Sequence, residues 1–291
     1  MHHKEKTSPG EHYVNIRGVK LWYYIQGKGP ILLLQPGGAG WGGDATPYIE
    51  TLKPLEELRT MVYLEPRGIG RSQRLNEPAA YSLEEYVEDI ELLRKYFELP
   101  KIAIAAHSHG GFVALKYALK YPKKVEDLVL IDTTPIIFLG NYNSWLRKRK
   151  GYKEASSALK KLQNNKSLSA DEKERATLKI LLPVIHFYDF EKVASKVNYF
   201  LTNMIVSAKP HHYFNNNEAL EYDLRESIRH INAPTLIITG DDDMPHIVLG
   251  SKILHEQIPN ANLVVIGNCG HWPMIEAPKA FFKAVITFLS K

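Results

Sequence analysis

The chain has 291 residues, of which 44% are hydrophobic and 24% are charged, so it can bury one large core with or without a small second domain. The net charge of +5 comes from interleaved acids and bases, and the one strong basic cluster, residues 147–150, is typical of a solvated helix face; we therefore expect no nucleic-acid partner. No apolar run reaches the ~20 residues of a membrane span, no secretory signal is visible, and Cys269 is the single cysteine. These features predict a cytoplasmic protein without a membrane span, and they leave its oligomeric state open.

The N-terminal part of the chain has the pattern of strands. Residues 13–16 and 19–25 predict an antiparallel pair around a tight turn, and a buried strand begins at Ile31. That strand runs into a glycine-rich turn, Gln35-Pro36-Gly37-Gly38. Further on, Ser82 with a glutamate three residues later predicts the capped start of a helix.

A serine lies between a predicted strand and a predicted helix. Residues 102–106 are apolar and strand-like, Ser108 follows, and two glycines lead into a helical pattern at 112–119. A serine on such a sharp turn has a strained backbone and an exposed hydroxyl, and the free N–H groups of the helix N-terminus favour a developing anion. The segment therefore predicts a nucleophile.

The remaining elements predict a mostly parallel sheet with helices on both faces, because strands and helices alternate. A strand at 128–131 ends in Asp132, and residues 135–230 are helical and polar with scattered aromatics. The alternation returns with a strand from Thr235 that ends in an acidic cluster, and a last strand ends before His271. We expect the 135–230 insertion to lie above the strand carboxyl ends, where such sheets bind ligands.

These segments, in this order, resemble the α/β-hydrolases, whose nucleophile turn reads Gly-x-Ser-x-Gly; here Ala106 replaces the first glycine. The resemblance covers about residues 12 to 290. It implies the α/β-hydrolase fold, an α/β architecture with a mostly parallel eight-stranded sheet, helices on both faces and an inserted helical lid. The expected domains are a core formed by 12–134 and 231–291, and a lid formed by 135–230.

The resemblance also implies a catalytic triad and an oxyanion hole. Ser108 is the expected nucleophile and His271 its base. Asp243, three residues after Gly240, is the expected acid, and Asp132 is the alternative because some family members draw the acid from that strand.

The expected oxyanion donors are two backbone N–H groups. One belongs to His109 and the other to Gly37 or Gly38, since Pro36 has no N–H. In a usual turn of this kind the His107 side chain points away from the site.

The sequence predicts no metal and no cofactor, and a small-molecule ester or a short peptide as substrate. We predict a carboxylesterase for small to medium acyl esters. The alternative is a proline iminopeptidase, for which Glu218 and Glu221 are the candidates to hold a substrate ammonium; Gln35 is a further substrate-binding candidate. An alternative of another class is a ligand receptor or signalling protein with slow turnover on the same scaffold.

Overall fold

One eight-stranded sheet organises the molecule. The computed structural model describes residues 6–37, 44–137 and 141–291, and within them the sheet order is β1-β2-β4-β3-β5-β6-β7-β8. The strands are β1 (Gly10–Ile16), β2 (Val19–Gly27), β3 (Ile31–Gln35), β4 (Thr60–Glu65), β5 (Ile102–His107), β6 (Val125–Ile131), β7 (Thr235–Gly240) and β8 (Ala261–Ile266).

Eleven α-helices occur in the described part of the chain. They are α1 (Thr46–Thr51), α2 (Leu83–Tyr96), α3 (His109–Lys120), α4 (Tyr142–Arg147), α5 (Tyr152–Gln163), α6 (Ala170–Ile185), α7 (Phe190–Asn203), α8 (Ala208–Asn217), α9 (Pro245–Gln257), α10 (Pro273–Glu276) and α11 (Pro278–Leu289). Short 3-10 turns cover Lys53–Glu57, Pro78–Tyr81, Pro122–Lys124 and Ile228–His230.

The predicted hairpin and the predicted parallel sheet are both confirmed. β1 pairs antiparallel with β2 around Arg17 and Gly18, whose φ angles of 53° and 80° are those of a tight hairpin turn. β2 also pairs antiparallel with β4, and all later neighbours are parallel. The carboxyl ends of β3, β5, β6, β7 and β8 therefore meet at one edge of the sheet.

The core has two layers because the sheet is covered on both faces. Every residue of β5 is buried, and its side chains alternate: Ile104 packs in one hydrophobic cluster, while Ala103 and Ala105 pack in the other. A strand buried on both faces has a continuous apolar sequence. This arrangement fixes the position of the residues that follow β5.

Five helices, α4 to α8, lie between β6 and β7. A capping box opens α6, where the Ser169 and Glu172 side chains each bond the other residue's backbone N–H. Buried apolar residues of α6 and α7, such as Leu182 and Phe200, join the core cluster that contains Ala103 and Ala105 of β5. Across the described residues, none of the helices is long and apolar enough to cross a membrane.

Candidate active site

Ser108 lies on a strained turn between β5 and α3. Its φ of 53° and ψ of −122° are unfavourable for a residue with a side chain, so its surroundings must hold it. Its N–H donates to the carbonyl of Ile131 at 2.9 Å, and its own carbonyl accepts from the Thr133 hydroxyl at 2.8 Å and from the Gly111 N–H at 2.9 Å. Hydrogen bonds to both its N–H and its carbonyl thus hold the strained backbone in place. The Ser108 side chain is half-buried at the helix N-terminus.

The two glycines after the serine are required by close approach of other segments. A Cβ on Gly110 would lie 2.3 Å from the Gln35 carbonyl oxygen, and one on Gly111 would lie 2.2 Å from the Thr133 hydroxyl. Any side chain at either position would push α3 away from the ends of β3 and β6. This contact explains why glycines follow the serine in the sequence.

His271 and Asp243 form a buried hydrogen-bonded pair at the ends of β8 and β7. The Nδ1 of His271 lies 2.8 Å from Oδ2 of Asp243, and Oδ1 of Asp243 accepts from the Met244 N–H at 2.6 Å. The His271 side chain is 2% exposed and that of Asp243 is 0% exposed. Since Nδ1 is committed to the carboxylate, Nε2 of His271 is the ring nitrogen available to a substrate or a nucleophile.

The backbone of His271 is held by two other histidines. Its N–H donates to the carbonyl of His186 at 2.7 Å, and its carbonyl lies 2.7 Å from Nε2 of His107. A carbonyl can only accept, so Nε2 of His107 carries the proton and Nδ1 must accept. The Tyr48 hydroxyl, 2.8 Å from that Nδ1, is the donor.

This network reaches the glycine-rich turn after β3. Gly37 donates its N–H to the Tyr48 hydroxyl at 2.8 Å, so a continuous chain of hydrogen bonds joins Gly37 to His271 through Tyr48 and His107. A Cβ on Gly37 would lie 3.0 Å from the Cβ of Ser108, which brings this turn directly against the serine.

Two expectations change as a result. His107 does not point away from the site: its ring centroid is 4.8 Å from that of His271. The Gly37 N–H already has an acceptor, which disfavours it as an oxyanion donor. Gly38, the other candidate, lies outside the described residues. The His109 N–H belongs to the first residue of α3 and has no acceptor within the helix.

A cavity of about 840 Å³ opens over Ser108. Its described lining includes Ser108 and His271, and one wall comes from the segment between β6 and β7, with Tyr142, Ile185 and Phe214. Aromatic rings are frequent in the described lining of the cavity. Its histidines are His107, His109, His186, His211, His246 and His271.

Burial keeps several of these histidines neutral. It lowers the pKa of His109 to about 3 and that of His246 to about 4, and it lowers the pKa values of His107 and His186 well below their ordinary value. The described lining contains no Asp, Glu, Lys or Arg, and neither do residues 38–43 and 138–140. The described lining of the cavity is therefore mainly apolar and aromatic, without acidic side chains, lysine or arginine.

The three substrate-binding candidates do not lie in this lining, and this corrects the sequence-based prediction. The Glu218 carboxylate accepts from the Leu83 N–H at 3.1 and 3.2 Å and so caps the N-terminus of α2. Glu221 is exposed on the surface. Gln35 is 2% exposed, and the end of β3 packs it beneath α3. The sequence could not show that the Glu218 carboxylate would cap a helix far away in the chain.

Two groups of side chains bring metal-ligand types together in the described residues. In one, donor atoms of His107, Asp132 and His271 lie within 4.8 Å of one another, but both ring nitrogens of His107 are already hydrogen-bonded. In the other, Nδ1 of His211 lies 2.7 Å from Glu174 and Nε2 of His212 lies 3.7 Å from it. The first of these close contacts links α6 to α8.

Comparison with known proteins identifies the family. Residues 30–278 match the alpha/beta hydrolase fold. The chain belongs to this family. Over 283 residues it is 25% identical to the proline iminopeptidase PfmaB of Pestalotiopsis fici, which covers 96% of this chain and 99% of that protein. It is 29% identical over 257 residues to a putative esterase/lipase of Haemophilus influenzae, covering 87% of this chain and 81% of that protein.

Comparison with solved structures shows the same fold. A hydrolase from Pseudomonas aeruginosa superimposes with a TM-score of 0.76 at 22% identity, over 98% of this chain and all of that one.

Sequence reasoning had predicted the fold and the serine turn of this chain. It missed Tyr48, His186 and His246, since nothing in their local sequence links them to the site; only the fold brings them there.

Proposed function

We propose that this hydrolase is a serine carboxylesterase that acts on small to medium acyl esters. The observation that carries the proposal is the cavity itself: a strained serine and a histidine-aspartate pair meet at a space whose described lining contains no Asp, Glu, Lys or Arg. A neutral ester matches such a space, because a buried charge is stable only where it is paired.

The proposed chemistry is acyl transfer to Ser108. His271 removes the hydroxyl proton through Nε2 during attack on the ester carbonyl and returns it to the leaving alcohol. Asp243 orients the ring and stabilises the imidazolium that forms, which its 2.8 Å contact with Nδ1 supports. In the second half of the reaction His271 activates a water molecule, which hydrolyses the acyl-enzyme.

The tetrahedral oxyanion needs two N–H donors. The His109 N–H is the first, because it lies at the start of α3 directly after the nucleophile. Gly38 remains the prediction for the second, since the Gly37 N–H is bound to Tyr48. Removing one such donor typically raises the barrier by about 3 kcal/mol.

We propose that residues 135–230 act as a lid over the core formed by 12–134 and 231–291. Support comes from the cavity wall, to which Tyr142, Ile185 and Phe214 of this segment contribute. These side chains limit the depth available to an acyl chain. Each acyl-chain methylene that fits into the cavity stabilises binding by up to ~0.8 kcal/mol. Methylenes beyond the depth of the cavity do not gain this stabilisation.

A proline iminopeptidase is the second candidate, favoured by the 25% identity with PfmaB over nearly the whole chain. Such an enzyme must hold the free amino terminus of its substrate. The Glu218 carboxylate caps the N-terminus of α2 and Glu221 is exposed. Neither position therefore favours the aminopeptidase activity.

Initial rates on p-nitrophenyl acetate, butyrate, octanoate and palmitate, measured beside proline-p-nitroanilide, test the proposal. We expect the ester rates to peak at short or medium length, with little cleavage of the anilide. Glu218→Gln and Glu221→Gln should scarcely change the esterase kcat/KM.

Faster cleavage of the anilide than of the butyrate, abolished by either glutamine variant, would establish the aminopeptidase instead. Stoichiometric labelling of Ser108 without turnover of any substrate would favour the receptor hypothesis.

A further inference from the structure

A second aspartate lies behind the His271–Asp243 pair. Asp132 follows β6, and its N–H donates to the carbonyl of Ile238 at 2.8 Å, which holds it beside the end of β7. Its side chain is fully buried, and a carboxyl oxygen lies within 4.8 Å of a ring nitrogen of His271. Its carboxyl group is a close neighbour of that of Asp243. Asp132 is the alternative to Asp243 as the catalytic acid, and the proposed mechanism leaves it without a role.

The two carboxyl groups have unequal partners. Asp243 accepts from the His271 ring and from the Met244 N–H. Asp132 accepts the Gly240 N–H at 2.9 Å through Oδ1, whereas its Oδ2 is buried without a hydrogen-bond donor in the described structure. Two neighbouring carboxylates cannot both be ionised at low cost, so the group with a buried oxygen that lacks a donor, Asp132, retains a proton.

We infer that Asp132 is held as a neutral carboxylic acid and donates its proton to Asp243 in a hydrogen bond, which makes it a positioning residue for the catalytic pair. A proton on Oδ2 of Asp132 gives that buried atom a partner. It also gives the Asp243 carboxylate a further donor, besides His271 and Met244, which fixes its plane toward the His271 ring.

The surroundings support a neutral group. Burial, and then the charge of Asp243, raises the pKa of Asp132 well above its ordinary value, while the Gly240 N–H and the Thr239 hydroxyl act in the opposite direction. The titratable groups that face Asp132 are Asp243, His271, His107 and Cys269.

These neighbours supply no compensating cation. Burial raises the pKa of the Cys269 thiol and lowers that of His107, so both are neutral near pH 7. His186 and His246, which face His271, are neutral for the same reason. The thiol and these three histidines therefore offer Asp132 no cation to pair with.

The role of Asp132 in catalysis rests on the proposed function, but the location of the proton does not. An infrared difference spectrum between wild type and Asp132→Asn near neutral pH measures the proton directly. We expect the carbonyl stretch of a protonated carboxylic acid, shifted in D₂O. Asp241→Asn, at the exposed position directly after β7, is the control and should show carboxylate bands only. A carboxylate band lost from Asp132→Asn would overturn the inference.

Kinetics then test the hydrogen bond. Asparagine retains an N–H donor, whereas valine has a similar size and none, so kcat should fall about tenfold further in Asp132→Val than in Asp132→Asn, with KM little changed. The pH at which kcat/KM falls on the acid side of its profile (the acid limb) should be the same in Asp132→Asn as in wild type, since the substitution removes no charge. A downward shift of about one pH unit would show an ionised Asp132, and equal losses in the two variants would exclude the donor role. Should the valine variant not fold, the infrared spectrum and the acid limb still decide.

Discussion

The Gly37 N–H donates a 2.8 Å hydrogen bond to the Tyr48 hydroxyl, which in turn donates to Nδ1 of His107 at the same distance. The ring of His107 then fixes the His271 carbonyl. One buried network of hydrogen bonds thus connects the turn after β3 with the histidine after β8, although the two are far apart in the chain.

Tyr48→Phe should weaken both stability and activity. The change leaves the Gly37 N–H and Nδ1 of His107 buried without this partner, which we expect to lower the free energy of unfolding by about 1–3 kcal/mol per orphaned group. Urea denaturation and ester kinetics measure the two effects. Tyr24→Phe is the control, because the Tyr24 hydroxyl makes only a 3.5 Å contact with Gln26. A Tyr48 variant as stable and active as that control would show that the network is dispensable.

Asp243→Asn should reduce kcat by a factor on the order of 10⁴, because an amide facing Nδ1 favours the wrong tautomer of His271. Asp241→Asn, at an exposed neighbour in the same loop, should change kcat by less than about twofold. Steady-state ester hydrolysis gives both values. A severe Asp132→Asn with a mild Asp243→Asn would move the acid to the end of β6.

Stability should fall on acidification through the buried histidines. The folded pKa of His109 is about 3, below its unfolded value of ~6.5. The unfolded chain therefore binds the proton first: the stabilising contribution is present above pH ~6.5 and is lost as pH falls. Between about pH 7.5 and about pH 5 wild type should lose about 2 kcal/mol more than His109→Gln.

Urea unfolding at the two pH values measures this difference. His230→Gln, at an exposed position, is the control and should follow wild type. If His109→Gln loses as much stability on acidification as wild type does, His109 is not the buried neutral group described here.

Local patterns were enough to predict the parallel sheet, the hairpin at Arg17 and the serine turn. Each depends on the residues beside it: alternating apolar side chains, two turn residues, or glycines after a strand. The helix at Ser82 was predicted from a capping box, and Ser82 does accept from the Glu85 N–H. The Glu85 carboxylate instead binds Arg67 and Arg17, because the fold brings these cations nearer.

The polar partners of the site could not be predicted in the same way. His107 contacts residues 59 and 164 positions away, and the Glu218 carboxylate caps a helix that begins 135 positions earlier. No sequence pattern encodes such pairings, since they depend on how strand ends align in the sheet. For the same reason the contact between Asp132 and Asp243 emerges only from the parallel pairing of β6 with β7.

Covalent labelling tests the central claim, a nucleophilic Ser108, most directly. The protein is treated with a fluorophosphonate, and the adduct is located by peptide mass spectrometry in wild type, Ser108→Ala and His271→Ala, with ester hydrolysis measured in parallel. We predict one adduct per chain on Ser108, and loss of both labelling and hydrolysis in folded Ser108→Ala. Undiminished ester hydrolysis by Ser108→Ala, or an adduct on another residue, would contradict the account.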